Sequence, residues 1–216
     1  RTRLVGSEMC IRDRCMTLMF ADDTKVFQTV VTKEDMAAVQ RDLVKLEEWS
    51  SKWLLKFHPD KCKVLTLGDL EKIARPRAFA YELHGTILEH VFEEKDLGVQ
   101  IDSNLNFDVH IQDKIKKANA MLGLIRSSFT CLTKDLMLPL YISLVRHHLE
   151  YGAVLWNARA TKAQIRAVEK VQMRAVSMVH GLHDMDYGDQ LRALELTTLS
   201  ARRARGMMIE MWKHFH

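Results

Sequence analysis

Proline is scarce in this 216-residue chain, with three residues against nine glycines. So few prolines argue against long proline-rich linkers. Cysteine is sparse too, and Cys10, Cys15, Cys62 and Cys131 form neither a paired framework nor a repeated zinc-ligand spacing. Such a set fits a reducing compartment. No stretch approaches the roughly 18 uninterrupted apolar residues that cross a bilayer, so a soluble chain with no membrane partner is expected. What is present is ordinary for a globular protein: 47% hydrophobic and 28% charged residues. That composition excludes a disordered or collagen-like chain and allows one domain or two modest ones.

Charge is unevenly spread. Residues 1–103 carry 16 Lys/Arg against 18 Asp/Glu, whereas residues 104–216 carry 16 against 10. A near-neutral first half joined to a basic second half points to two roles, with any polyanionic partner on the second. Ordinary surface charge gives the same arithmetic. Residues 1–15 (RTRLVGSEMCIRDRC) show no period of 2 or 3.6, lack the apolar core of a secretory signal, and carry acids that transit peptides avoid. They resemble translated adapter sequence, so the fold is expected to begin at residue 16 and the native start to lie upstream.

From Met16 a pattern emerges. Met16–Phe20 is apolar, Ala21-Asp22-Asp23 is a polar tip, and Thr24–Val31 is β-branched, which predicts a hairpin. Thr32 with Asp35 forms a capping-box signature for a helix running to Phe57, with Trp49 and Trp53 as core anchors. His58-Pro59-Asp60 breaks it, and Cys62–Leu67 predicts a strand. Residues 78–102 read as a small β-region, with a turn near His84-Gly85 and a strand at Leu97–Ile101. Everything after Asp108 is helical, near 108–130, 134–157, 161–180, 187–196 and 199–215, with a kink or offset start expected at Pro139. The expected layout is α+β followed by all-α, with a junction near residues 103–108.

Adjacent Asp22 and Asp23 occupy a tip where two carboxylates can converge on one divalent cation, as phosphoryl transfer requires. Asp is equally a favoured turn residue. A second candidate site is the row Lys162, Arg166, Lys170 and Arg174, which recurs every four residues and stacks on one helix face. Ile165, Val168, Val171, Ala175 and Val179 supply an apolar face beside it. Such a row either follows a phosphate backbone or is the solvated side of an amphipathic helix. Arg202, Arg203 and Arg205 form a further basic cluster, and Met207, Met208 and Met211 fit helix packing.

Phe20-Ala21-Asp22-Asp23-Thr24-Lys25 resembles the F/Y-A-D-D element of reverse transcriptases, in the form carried by LINE-class non-LTR retrotransposons. Downstream blocks agree in order: QRDLVKLEEWSSKWLLKFHPDKCKVLTLG at 40–68, EKDLGVQID at 94–102, LPLYISLVRHHLEYGAVLW at 138–156 and AVEKVQMRAVSMVHGL at 167–182. The chicken-repeat or jockey-like branch is most similar. The resemblance implies a fragment of an RNA-directed DNA polymerase. Residues 16–103 would be a partial palm (hairpin, long helix, small antiparallel sheet) and residues 104–216 an all-α helical thumb. It implies that Asp22 and Asp23 are catalytic metal ligands for Mg²⁺. It further implies that Lys61 protonates leaving pyrophosphate and that Leu97-Gly98 is the primer-grip turn. RNA template and DNA primer would be the partners, and the location intracellular. The family's earlier palm aspartate and finger motifs do not occur in these residues, so the 216-residue chain is expected to lack polymerase activity. The alternatives are a non-catalytic nucleic-acid-binding remnant and a helical interaction module.

Overall fold

The computed structural model describes residues 15–20, 23–55, 57–68 and 79–215. The fold is mixed α and β, and the chain divides into two compact units, Arg1–Glu94 and Lys95–His216. The junction expected near residues 103–108 lies inside the second of these.

In the first unit, β1 (Met16–Phe20) pairs antiparallel with β2 (Asp23–Phe27), and Phe20 stands opposite Asp23. The second strand therefore starts one residue earlier than expected and stops short of Val31. Helix α1 (Lys33–Trp53) opens on the expected capping box. The Asp35 N–H donates to Thr32 Oγ1 (3.2 Å) and the Thr32 N–H donates to Asp35 Oδ2 (2.8 Å), which satisfies two orphan donors reciprocally. The helix ends at Leu54 in the left-handed conformation (φ +57°), before Phe57. Its inner face, with Leu43, packs against Tyr81, Leu83 and Leu88 to form a small core. Trp53, expected as an anchor, is 52% exposed because α1 outruns that core.

The expected small antiparallel sheet is not one sheet. β3 (Lys63–Leu65) pairs parallel with β6 (Glu89–Val91), while β4 (Glu82–Leu83) and β5 (Thr86–Ile87) make their own hairpin across His84-Gly85. The chain between β3 and β6 is long enough to bring the second strand back in the same direction. Cys15, assigned by sequence to the non-native leader, is buried in this unit. Its backbone N–H donates to Asp42 Oδ2 (3.3 Å), and its thiol to Gln28 Oε1 (2.9 Å). Burial, reinforced by Asp42, pushes its pKa up to about 12.

In the second unit, Leu97 (φ +43°) and Gly98 (φ +80°) form the tight turn between β7 (Glu93–Asp96) and β8 (Val99–Asp102). A strand was expected to begin at Leu97. Two successive positive φ values, the signature of a two-residue hairpin loop, exclude it. Among the described residues seven α-helices follow α1: α2 (Asp108–Ser128), α3 (Lys134–Leu140), α4 (His147–Glu150), α5 (Ala153–Trp156), α6 (Lys162–Ser177), α7 (Tyr187–Ala193) and α8 (Leu199–Phe215). Asp102 organises the entry to α2, accepting the N–H groups of Asn104, Asn106 and Phe107 at 3.1, 3.1 and 2.6 Å. Burial alone would raise its pKa, but these three donors outweigh it and hold the carboxyl below the usual aspartate value.

The single helix expected over 134–157 is broken twice. Pro139 cannot donate to the ladder, and a π-helical stretch (Tyr141–Arg146) follows it, with Ser143 Oγ donating to Pro139 O at 2.7 Å. The chain then turns at Tyr151-Gly152, where Gly152 takes φ +63°. The result buries Tyr141, Val145, Leu149 and Trp156 against Val168, Val171 and Ile111 in a core far larger than that of the first unit. Three polar groups inside it are partnered through Gln172, which is fully buried. It accepts the Tyr141 hydroxyl (2.5 Å) and donates to Tyr187 Oη (2.9 Å) and Thr197 O (3.0 Å).

Candidate catalytic hairpin and nucleic-acid interface

At the hairpin tip, Asp23 is the first residue of β2. It is exposed, facing Phe20 across the register. Asp22 lies outside the described residues. Lys61 is an exposed residue closing a 3-10 turn (Pro59–Lys61), its N–H donating to His58 O at 3.0 Å. No ion pair joins Lys61 to Asp23. Among the described residues no group of three or more His, Cys, Asp or Glu side chains is arranged to hold a metal ion. The carboxylate of Asp23 supplies at most two of the six oxygens that Mg²⁺ takes.

The α6 stripe is placed as its spacing requires. Lys162, Arg166, Lys170 and Arg174 are all exposed, and none has an ion pair among the described residues. Arg174 Nε donates to Lys170 O at 3.4 Å. Four-residue steps put successive charges about 6 Å apart along the axis. The opposite face, with Val168, Val171, Ala175 and Val176, is buried, and Ile165 is half-buried. The start of α6 is fixed by a second capping box, in which Gln164 N–H donates to Thr161 Oγ1 (3.2 Å) and Thr161 N–H to Gln164 Oε1 (2.6 Å).

The three arginines of α8 separate, because successive helical residues point about 100° apart. Arg202 pairs with Glu150 (2.6 and 3.3 Å). Arg203 is 3% exposed, stacked over Trp156 at 5.3 Å and donating to Asn157 Oδ1 at 3.0 Å. Burial lowers its pKa. Arg202 and Arg205 are both exposed, and Arg205 has no ion pair among the described residues. Met208 and Met211, expected to pack, are 66% and 58% exposed on the far half of α8.

The Leu97-Gly98 turn is held from within its own unit. The Tyr151 hydroxyl donates to Leu97 O (2.6 Å) and Lys114 Nζ donates to Gly98 O (3.3 Å). A Cβ on Gly98 would lie 2.9 Å from Tyr151 Oη, so the space this glycine leaves is occupied by Tyr151. His110, 2% exposed, locks the base of the hairpin. The Gln100 N–H donates to its Nδ1 (3.3 Å), which leaves Nε2–H to face Tyr151 O (3.4 Å). Burial lowers its pKa, keeping the ring neutral. Spacing alone did not single out Tyr151, Lys114 or His110; they meet only through contacts 10 to 54 residues apart in sequence.

Two curated proteins are similar to this chain. One is the "Probable RNA-directed DNA polymerase from transposon BS" of Drosophila melanogaster, 24% identical over 172 residues, covering 77% of this chain and 18% of that protein. The other is the "RNA-directed DNA polymerase from mobile element jockey" of Drosophila funebris, 26% identical over 168 residues, covering 73% of this chain and 18% of that protein. The chain thus spans under a fifth of the length of these relatives. No family model matches it, and no solved structure matches it. The two relatives bear out the resemblance to reverse transcriptases of non-LTR retrotransposons.

Proposed function

We infer that this chain, as a relative of the RNA-directed DNA polymerases of jockey-like elements, supplies the later palm and a helical thumb of such an enzyme. On this reading its second unit grips nucleic acid by the phosphate backbone. The observation that carries the inference is the α6 stripe: four exposed cations at even spacing, without carboxylate partners among the described residues, on a helix whose other face is locked into the larger core. Cations left unneutralised on a rigid element are suited to replacing the counterions of a polyanion. Asp22 and Asp23 would bind Mg²⁺ in the intact polymerase and Lys61 would act on the leaving group, with RNA as template and DNA as product. The 216 residues by themselves would bind without polymerising.

Salt titration of duplex binding tests this. If all four side chains contact phosphates, log K should fall by roughly 3–4 units per tenfold rise in salt. Changing Lys162, Arg166, Lys170 and Arg174 together to glutamine should flatten that slope by the same amount. A flat slope in the unaltered chain would favour the helical interaction module instead. Asp22→Ala tests the catalytic half of the reading. It should leave this binding unchanged, yet abolish template-directed synthesis in a chain extended to the length of the relatives.

A further inference from the structure

Helix α8 has two faces, and its own unit uses one of them. Leu199 and Arg203 are buried, and Gly206, Met207 and Glu210 are half-buried, so this row points back at the unit. Arg203 stacks over Trp156, and the Asn157 amide donates to the Met207 sulfur at 3.1 Å. The other face is exposed along its whole length. Ala201, Ala204, Met208, Met211 and Phe215 are all exposed, the last three at 66%, 58% and 79%. At about 100° per residue, these five lie roughly 140° around the helix from the buried row. Their spacing is three, four, three, four, which is the a/d rhythm of a two-helix seam. A solvated helix face carries charges instead. Here Glu210 and Lys213 bond to each other at 2.7 Å away from the seam, and Arg202 is paired with Glu150. Single exposed apolar residues are ordinary, but five in register make a contiguous patch.

The volumes along the seam point to what covers it. It starts small, with Ala201 and Ala204, continues through Met208 and Met211, and ends large, at Phe215. A parallel copy would set Phe215 on Phe215 and alanine on alanine, crowding one end and leaving a void at the other. An antiparallel copy, with its two-fold axis midway between Met208 and Met211, sets Phe215 against Ala204 at both ends and Met208 against Met211 in the middle. The end layers then pair large with small, and one patch serves both partners. Arg205, without an ion pair among the described residues, flanks the seam on the same side as Trp212. In the antiparallel arrangement its guanidinium comes beside Trp212 of the second copy, a pairing suited to a cation–π contact.

We propose that the exposed face of α8 is a self-association surface, on which two copies of this chain pair through antiparallel α8 helices along Ala204, Met208, Met211 and Phe215. The surface does not involve the α6 stripe and stands whether or not that stripe binds nucleic acid. Side chains of this size offer on the order of 500 Å² per copy, the low end of specific interfaces, so the dimer forms at micromolar concentrations.

The test is sedimentation velocity of the 216-residue chain, freed of nucleic acid, over about 1–200 μM, a range that brackets a micromolar dissociation constant. The unaltered chain should pass from monomer to dimer. Met208→Glu and Met211→Lys each alter a residue exposed in the monomer, so each should keep its fold, which circular dichroism checks. Each alone should weaken the dimer on the order of a hundredfold, because two unpaired charges enter the seam. Mixed in equal amounts, the two variants should dimerise again, since one layer becomes Glu on Lys and the other stays Met on Met. A parallel seam, where 208 meets 208 and 211 meets 211, gives no such recovery. Leu18→Glu, on the exposed β1 strand, should leave the dimer unchanged and so separates the seam from the other apolar surface of the chain. A chain that stays monomeric over the whole range overturns the proposal. So does a dimer that survives Met208→Glu or is lost in Leu18→Glu, and failure of the mixture to recover overturns the antiparallel pairing.

Discussion

Replacing Gln172 by leucine is expected to destabilise the second unit by about 3–5 kcal/mol. The size of leucine is adequate and the position is fully buried, so cavity formation is not the cause. The cost comes from orphaned polar groups. The Tyr141 hydroxyl loses its acceptor, and Thr197 O and Tyr187 Oη lose their donor. Each buried group left unpaired costs about 1–3 kcal/mol. Tyr187 also donates to Glu169, whose carboxylate accepts the Leu199 N–H (3.2 Å) and Ser200 N–H (3.3 Å) at the start of α8, so the damage spreads to the seating of that helix. Burial and Glu169 together hold the Tyr187 pKa well above the ordinary tyrosine value, so its hydroxyl stays a donor across the usable pH range. Urea unfolding followed by near-ultraviolet circular dichroism measures the effect. Adding Tyr141→Phe to Gln172→Leu should cost less than the sum of the two single changes, since each removes a group the other would strand. Strict additivity would refute the network.

Gly152→Ala carries the next largest effect. A Cβ there would stand 2.8 Å from Val99 Cγ2 and 4.0 Å from His110 Nε2, on backbone at φ +63°. Left-handed backbone costs an L-residue about 1–2 kcal/mol, and overpacking adds about 1–3 kcal/mol. A loss of roughly 2–5 kcal/mol is therefore expected, and Val99→Ala, which removes the offending methyl, should recover the packing part. Gly123→Ala and Gly206→Ala give the contrast. Both lie inside helices with open space around the added carbon, so each should gain about 0.5–1 kcal/mol. Thermal midpoints of the four variants decide the matter, and a neutral Gly152→Ala would mean that Tyr151-Gly152 is not the tight seam described.

Elements governed by local chemistry were readable from the sequence. The Thr32/Asp35 pair announced α1, the polar tip between an apolar and a β-branched run announced the hairpin, and four-residue spacing put the α6 cations on one exposed face. Elements decided by distant contacts were not. Residues 134–157 have continuous helical periodicity, yet the chain bends at Tyr151 so that its hydroxyl reaches Leu97, 54 residues away. Arg203 looks like its neighbours in sequence and differs only because Trp156 and Asn157 await it. For the candidate site, the residue types were legible at the tip and along α6. The Lys114–Tyr151 clamp was not, because it joins a turn to two helices.

The β1–β2 ribbon has a bearing on how such a protein is made. Met16, Leu18 and Phe20 are 61%, 56% and 62% exposed, alternate residues on one side of a two-strand sheet with no third strand among the described residues. Extended segments of this kind adhere to one another before folding is complete. The yield of dispersed protein from a cell is therefore governed by how early a chaperone or a partner strand shelters that ribbon, more than by how fast the helices assemble.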